Sequence, residues 1–490
     1  MVTHVPAREL TAVERSLVEH VDRGEWLDLV AKGEEVDEAT MRSWGNDRTC
    51  SATVIRDILR GRLAPDPDPH GLRLRGARIS GRLDLESLTT DVNLELRDCL
   101  LEEGINALNA RLAGVLLIGC QIEHPAEPPL DAERLTCSLL VLAGARIIGG
   151  TDAGAVRLNV AHIGGLLDCS GAKLHNDSGA ALDASGVQVG QSMFLTEGFT
   201  ATGHCDGGAV RLNVAQIGGQ LDCSGAKLRN DSGTALDASG VQVGQAMFLT
   251  EGFTATGGGD DVTVNLTAAR VEMFLFAPSR LEHAADPHRR LAVDGLTYSG
   301  VPHWVSARGW QRLLRDGTPR YAAQPYQQLA AGCRALGDER QAREVLMAQR
   351  DDQLARAHPR PRWTEWVWGR ITKVTLGYGY QPWRALWFLA GVVVVSCVLA
   401  VVLGSHGALA QTSKTATPGR SCTVVQKVRV GLDLNLPVGT SVARAACDFT
   451  KDSTSATGAW LTVTGWVLRV LAWAFAALFI AGFTSAVRKT

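Results

Sequence analysis

The 490-residue chain lacks the sequence features that mark many enzymes and nucleic-acid-binding proteins. Its formal net charge is -2, so it has no basic field for a nucleic-acid backbone. No G-x-G-x-x-G follows a strand and opens a helix, and no G-x-x-x-x-G-K-[ST] occurs, which argues against a classical nucleotide-binding fold. The 11 cysteines include no C-x-x-C pair. We therefore expect no cofactor, no metal ligands and no catalytic residues, and an enzyme is not the favoured interpretation.

A secretory signal is also lacking. The N-terminus, MVTHVPARELTAVERSLVEHVDRG, is charged and contains no apolar core. We expect the chain that precedes the first long apolar segment to stay in the cytoplasm, where its thiols remain reduced.

The most informative feature present is a long tandem duplication. Residues 154–203 and residues 208–257 are nearly identical at an offset of 54 residues. Such a repeat indicates a stacked fold in which each unit buries its apolar face on the next. Glycine is abundant, at 52 residues, as tight corners require.

Each copy contains two turns of a smaller repeat. Aligned on one corner, the turns begin at Ile79, Leu112, Leu135, Ile163, Val189, Ile217, Val243 and Val271, and a weaker ninth copy lies near Leu296. The spacings between successive starts are 33, 23, 28, 26, 28, 26 and 28 along the sequence. Apolar residues recur at steps of two and then about five, which is typical of a strand followed by a corner. The pattern predicts a mainly β fold, a β-helix solenoid over residues 65–303.

Helical patterns flank the repeats. Residues 1–64 carry apolar residues at helical spacing and are expected to cap one end of the stack. Residues 304–360 contain a helical hairpin with a break at Gly337-Asp338, and we expect it to cap the other end. Solenoids need such covers at both ends.

Two apolar segments follow a juxtamembrane segment at residues 361–382. Residues 383–404 and 458–487 are each long enough to form a transmembrane helix. Basic residues precede the first span and follow the second, at Arg488 and Lys489. The positive-inside rule then places both termini in the cytoplasm and the 405–457 loop outside, as in a multi-pass protein of the cell membrane.

Four segments carry a resemblance: RTCSATVIRDILRG (48–61), GLRLRGARISGRLDLE (71–86), PYQQLAAGCRALGDERQAREVL (325–346) and GYGYQPWRAL (377–386). The chain resembles uncharacterised, mostly actinobacterial membrane proteins with pentapeptide-like repeats and two C-terminal spans. Members of that family are sometimes labelled membrane-associated oxidoreductase. The resemblance implies a layout rather than a catalytic set. Because the repeats depart from a strict five-residue pattern, a looser β-helix is favoured over a four-sided coil.

Repeated acidic and amide side chains have two interpretations. Asp168 and Asp222, like Asp183 and Asp237, occupy equal positions in the two copies. They could line a carbohydrate-type groove with paired carboxylates. Corner chemistry, in which Asp and Asn accept hydrogen bonds from nearby backbone amides, is the favoured interpretation.

Three residues in the C-terminal region stand out. Cys422 and Cys447 are the only cysteines of the external loop, and we expect them to form a disulfide. Arg469 lies about one third of the way along the second span, where a charge is costly. It should face a partner or a cavity, or extend to the outer interface.

Three functions are compatible with these features. The favoured hypothesis is a membrane-anchored cytoplasmic β-helix that acts as a scaffold or sensor and presents a surface to an unknown protein. The alternatives are a two-span channel-like or transport subunit, and the membrane-associated oxidoreductase of the family label. The expected partners are membrane lipid, that unknown protein and a second copy of the chain through the transmembrane helices, but no nucleic acid.

Overall fold

The structure is a computed structural model. It describes residues 9–124, 126–357, 370–371, 373–375, 383–405, 409–411, 421–433, 435, 447–449 and 456–487. The chain divides into two compact units, Met1–Leu346 and Met347–Thr490, and each unit is described by itself.

The first unit is a parallel β-solenoid with four short strands in each turn. In chain order, the strands of a turn belong to four hydrogen-bonded columns, which we name wall 1 to wall 4. Wall 3 contains nine strands, one for each turn, so the solenoid has about nine turns. Four strands per turn make the coil four-sided, which is more regular than the looser β-helix that the sequence favoured.

The strand bounds, wall by wall, are as follows. Wall 1 contains Leu27–Asp28, Leu72–Arg75, Leu94–Arg97, Val115–Ile118, Leu140–Val141, Leu167–Asp168, Met193–Phe194 and Leu221–Asp222. Wall 2 contains Thr49–Ser51, Arg78–Ser80, Leu100–Leu101, Gln121–Glu123, Arg146–Gly149, Lys173–Asn176, Thr200–Gly203, Lys227–Asn230, Thr254–Gly257 and Arg280–His283. Wall 3 contains Leu83–Asp84, Ile105–Asn106, Leu130–Asp131, Val156–Arg157, Leu182–Asp183, Val210–Arg211, Leu236–Asp237, Val264–Asn265 and Leu291–Ala292. Wall 4 contains Thr89–Thr90, Arg111–Leu112, Thr136–Cys137, His162–Ile163, Gln188–Val189 and Gln216–Ile217. The longer strands Gln242–Leu249 and Arg270–Phe276 continue from wall 4 into wall 1.

The 54-residue duplication has a packing reason. Two apolar core positions in each turn, one just before the wall 2 strand and one within it, alternate in size along the stack. Ala172 and Leu174 lie next to Phe199 and Ala201 of the following turn, and all four are buried. The second copy repeats this order with Ala226 and Leu228, then Phe253 and Ala255. Because a large residue in one turn fits beside a small one in the next, the repeating unit is two turns rather than one.

One part of the sequence alignment was wrong. Wall 4 of the first turn is Thr89–Thr90, which pairs with Arg111 and Leu112, whereas Ile79 lies in wall 2. The alignment also matched Leu135 with Leu112. In the structure Arg111 pairs with Thr136, so Leu135 was aligned two residues too early. The first and longest spacing therefore joined two different walls. The error arose because every wall carries the same step-of-two apolar pattern, so the pattern alone does not distinguish them.

The N-terminal region forms the helices Ala12–Arg23, Glu38–Ser43 and Ala52–Leu59, and a 3-10 helix at Asn46–Arg48. It also contributes the first strands of walls 1 and 2, where Leu27 pairs with Leu74 and Cys50 with Ile79. These strands were not predicted. They cover the open strand edges of the first coil, which would otherwise expose unpaired backbone groups.

The other end of the solenoid is covered by helices. They are Ala307–Asp316, whose Trp310 packs on Phe274, and Gln324–Ala335. A third helix, Glu339–Ala357, follows them along the chain and includes the boundary between the two units. Gln324 Nε2 donates to the Leu296 carbonyl at 2.8 Å, and Gln328 Nε2 donates to the Tyr298 carbonyl at 2.6 Å. No further turn follows the last coil to donate hydrogen bonds to its carbonyl groups, and the two glutamines take over that role. The expected helix break lies at Gly337, whose φ is +79°.

The second unit contains the helices Trp383–Ser405, Val424–Asp433 and Ala456–Val487, and an antiparallel strand pair, Leu409–Gln411 with Cys447–Phe449. Two of these helices are long and apolar enough to cross a membrane. Their apolar windows are Trp383–Val402, with a mean hydropathy of 2.7, and Val463–Ala481, with a mean hydropathy of 1.9. Few residues of either window are buried, so these helices expose a largely apolar surface.

Candidate interaction surfaces

A groove runs along wall 4 of the first unit. Its volume is about 870 Å³, and it passes across six successive turns. Its outward side chains come from equivalent positions of those turns: His162, Gln188, Gln216, Gln242, Arg270 and Thr297. With turns about 4.8 Å apart, the groove is roughly 25 Å long. The sequence showed the recurrent corner but not that its outer side forms a groove.

The floor of the groove is a row of glycines in successive turns, at Gly164, Gly190, Gly218 and Gly244. The carbonyl oxygen of Gly190 lies only 2.3 Å from the point where a Cβ on Gly218 would stand. The same relation holds from Gly164 to Gly190, at 2.1 Å, and from Gly218 to Gly244, at 2.3 Å. The close approach of neighbouring turns therefore requires glycine here, and the missing side chains leave the backbone open to solvent.

The glutamines beside this floor are exposed and in register. Gln188 pairs with Gln216, and Gln216 with Gln242, in the parallel ladder of wall 4. Within the described residues, no hydrogen bond is made by any of these three side-chain amides. Each amide can donate and accept. The groove therefore offers a row of uncommitted, uncharged hydrogen-bonding groups.

Wall 3 is different because its charges pair with one another. Arg157 lies 2.9 Å from Asp131, and Arg211 lies 3.4 Å from Asp183, each pair joining neighbouring turns. Arg157 also contacts Glu133. Since these groups already have partners, wall 3 offers fewer free groups than wall 4.

The repeated acids and amides take part in corner hydrogen bonds. Asp168 Oδ1 accepts from the Ser170 amide at 2.8 Å, and Asp222 repeats this bond with Ser224 at 2.8 Å. Asp183 and Asp237 likewise accept from the amides two residues on, at 3.2 and 3.1 Å. These contacts have the geometry of the corner interpretation rather than that of facing carboxylates across a groove.

The thiols of the solenoid are mostly core residues. Cys169 and Cys223 are fully buried, and burial raises the pKa of each thiol well above its usual range. Cys205 is only partly buried, and its Sγ lies 3.5 Å from a guanidinium nitrogen of Arg211. In the part of the chain that the structure describes, no three His, Cys, Asp or Glu side chains converge as metal ligands would.

The structure places the three C-terminal candidates in the second unit. Cys422 and Cys447 are joined by a disulfide that closes a separation of 25 residues. Arg469 lies within the apolar window of the helix Ala456–Val487 and is partly exposed. No carboxylate of a described residue pairs with it. Among the described side chains, Arg469 makes no contact with Cys422 or Cys447.

The fold defines a class: a parallel β-solenoid of about nine turns with C-terminal helices, two of which can cross a membrane. Comparison with known proteins adds no family, since no family model, curated protein or solved structure matches the chain. The structure has the solenoid and the two apolar C-terminal helices that the resemblance implied, while the actinobacterial family and its oxidoreductase label stay predictions.

Proposed function

We propose that this protein is a membrane-anchored scaffold or sensor, with both termini in the cytoplasm, and that its solenoid binds a protein along wall 4. The observation that carries the proposal is the row of uncommitted glutamine amides beside an open glycine backbone. Solenoids use long, regular surfaces of this kind for binding. The three central glutamines favour a partner segment that is polar but carries little net charge where it meets them, because charged groups there would lose hydration without gaining a counter-charge. Arg270 and Glu272 add charge at one end of the groove only.

Two exposed apolar helices support the membrane part of the proposal. Trp387 and Val394 on the first, and Trp466 and Val470 on the second, are exposed, and such surfaces on a monomer mark contact with lipid or with another chain. The Phe388 and Phe475 rings stack at 5.5 Å, so the two helices contact each other. Lipid, and a second copy packed through these helices, are the partners we propose for the remaining surface.

Site-specific photocrosslinking of the full-length protein in its membrane tests the binding surface. A photoreactive amino acid at Gln216 or Gln242 should give an adduct of one discrete mass, and one at Lys227 on wall 2 serves as the matched control. Replacing Gln188 by Ala should weaken the adduct formed from Gln216. Equal adducts from walls 2 and 4, or none from wall 4, would contradict the proposal.

A two-span channel-like or transport subunit is the second candidate. Arg469 favours it, because a charged residue inside an apolar span commonly faces a water-filled pathway or another subunit. Recording from purified protein in planar bilayers tests it, and no ion current at any voltage would remove it. The oxidoreductase alternative stays a prediction, which the absorption spectrum of the purified protein checks.

A further inference from the structure

The helix Val424–Asp433 between the two apolar spans packs directly against the first span. The Cβ position of Gly431 lies 2.7 Å from the Cα of Cys397, so glycine permits a close backbone contact. Cys397 Sγ lies 3.9 Å from the Val428 carbonyl oxygen. Ser396 Oγ lies 3.2 Å from Asn435 Oδ1, and both residues are buried. The connecting segment is therefore attached to the side of the span and not only to its end.

These contacts lie below the end of the apolar window of the first span. That window ends at Val402 on the side of the connecting loop. Ser396 precedes Val402 by six positions, which corresponds to about 9 Å at 1.5 Å per residue. Cys422 and Cys447 close the segment nearer the loop side, where the strand of Cys447 pairs with Leu409–Gln411. The C-terminal half of the helix, from Val428 onward, thus lies beside residues of the first span that are expected to be in hydrocarbon.

The exposed face of this helix has the polarity that lipid requires. Val424 is 62% exposed, Val425 66% and Leu432 43%, whereas Lys427 on the opposite face is 8% exposed. A helix in water would have the reverse arrangement. Val394 and Val398 of the first span are likewise exposed, at 61% and 54%.

Arg429 interrupts the exposed face, and Gln426 and Asp433 are partly exposed next to it. Arg429 is exposed four positions after Val425. Its long side chain can extend from this depth to the headgroups, as arginines near membrane boundaries do.

We infer that Val424–Asp433 is a re-entrant helix that inserts into the membrane beside the first span, with lipid acyl chains against Val424, Val425 and Leu432. The inference rests on the membrane anchoring proposed above. It goes further, because it makes the connecting loop part of the membrane-embedded structure and identifies the surface that meets lipid.

Fluorescence quenching by lipid tests this inference on the full-length protein. The protein is reconstituted into phosphatidylcholine vesicles, and a fluorescent amino acid is introduced by codon suppression at one position at a time. Leu432 and Val425 report on the loop helix, Val394 on the first span and Arg280 on the water-exposed solenoid. Vesicles with brominated acyl chains should lower the fluorescence at Leu432, Val425 and Val394 at least twofold and leave that at Arg280 unchanged.

The outcomes separate the two proposals. Quenching at Val394 without quenching at Leu432 and Val425 would overturn the re-entrant helix and leave membrane anchoring intact. Absence of quenching at Val394 as well would overturn both. The use of two loop positions ensures that a local perturbation at one of them does not decide the result.

Discussion

The row of glycines in wall 4 makes a sharp prediction about the stacking of turns. In a Gly218→Ala variant the new Cβ would stand 2.3 Å from the Gly190 carbonyl oxygen. The oxygen belongs to the backbone and the Cβ position is fixed by the backbone, so the two turns must move apart by roughly 1 Å to restore an ordinary contact. The hydrogen bonds from the Gly218 amide to Val189, at 2.8 Å, and from the Gly219 amide to Gln191, at 2.6 Å, join the turns at this point.

The magnitude follows from these two effects. Overpacking costs about 1–3 kcal/mol, and weakening the two hydrogen bonds costs up to about 1 kcal/mol each. Alanine also lowers the conformational entropy of the unfolded chain relative to glycine, which stabilises the folded state by about 0.4–1 kcal/mol. We expect a net local destabilisation of about 2 kcal/mol.

Hydrogen exchange is the suitable assay, because a solenoid opens locally and a global unfolding midpoint would average over all turns. A local free energy of opening that is lower by about 2 kcal/mol corresponds to roughly 30-fold faster exchange of the backbone amides at positions 218 and 219. The matched control is Gly150→Ala, since a Cβ at Gly150 meets no atom within 4 Å. Unchanged exchange in the Gly218 variant would refute the argument that close stacking requires glycine.

Three further predictions concern single residues of the first unit. Val214 has a φ of +52° and is 62% exposed. Glycine would remove the strain of a left-handed backbone but would add conformational entropy to the unfolded chain, so Val214→Gly should stabilise its turn by about 0.5–1 kcal/mol. Hydrogen exchange measures this change. Because burial raises its pKa, the Cys169 thiol should resist iodoacetamide at pH 8 in folded protein and react after denaturation, which mass spectrometry checks. Hydrogen bonds from Arg48 lower the pKa of Glu34 to about 2, so the Arg48–Glu34 pair should stabilise the folded chain above pH 4.5 and lose this contribution as pH falls towards 2. Unfolding of wild type and Glu34→Gln across that range measures the difference.

Controls make each of these decisive. Val214→Ala keeps a Cβ at positive φ, so it should gain less than the glycine variant. Reaction of native Cys169 as fast as that of the denatured protein would contradict its burial. For Glu34, a difference between wild type and variant that stays constant from pH 7 to pH 2 would show that the Arg48 pair does not stabilise the fold.

The candidate surfaces were predictable only in part. The x-Val-Gly and x-Ile-Gly recurrence at residues 188–190 and 216–218 was visible in the sequence, and so were the two apolar helices. The groove was not visible, because it depends on which of the step-of-two positions face outward and on how closely the turns stack. The packing of Gly431 against Cys397 was equally hidden, since the two residues lie far apart in the chain and neither belongs to a recognisable motif.

The sequence by itself determined that a duplicated, period-two pattern stacks into a solenoid and that two long apolar helices follow it, because both conclusions depend only on local periodicity and composition. Tertiary structure decided the four-sided cross-section, the alternation of phenylalanine and alanine between turns, and the pairing of the N-terminal strands with the first coil. These features depend on the register between segments that are distant in the chain, such as Leu27 with Leu74 and Leu174 with Ala201. A periodic sequence permits several registers, and only side-chain packing between turns selects one.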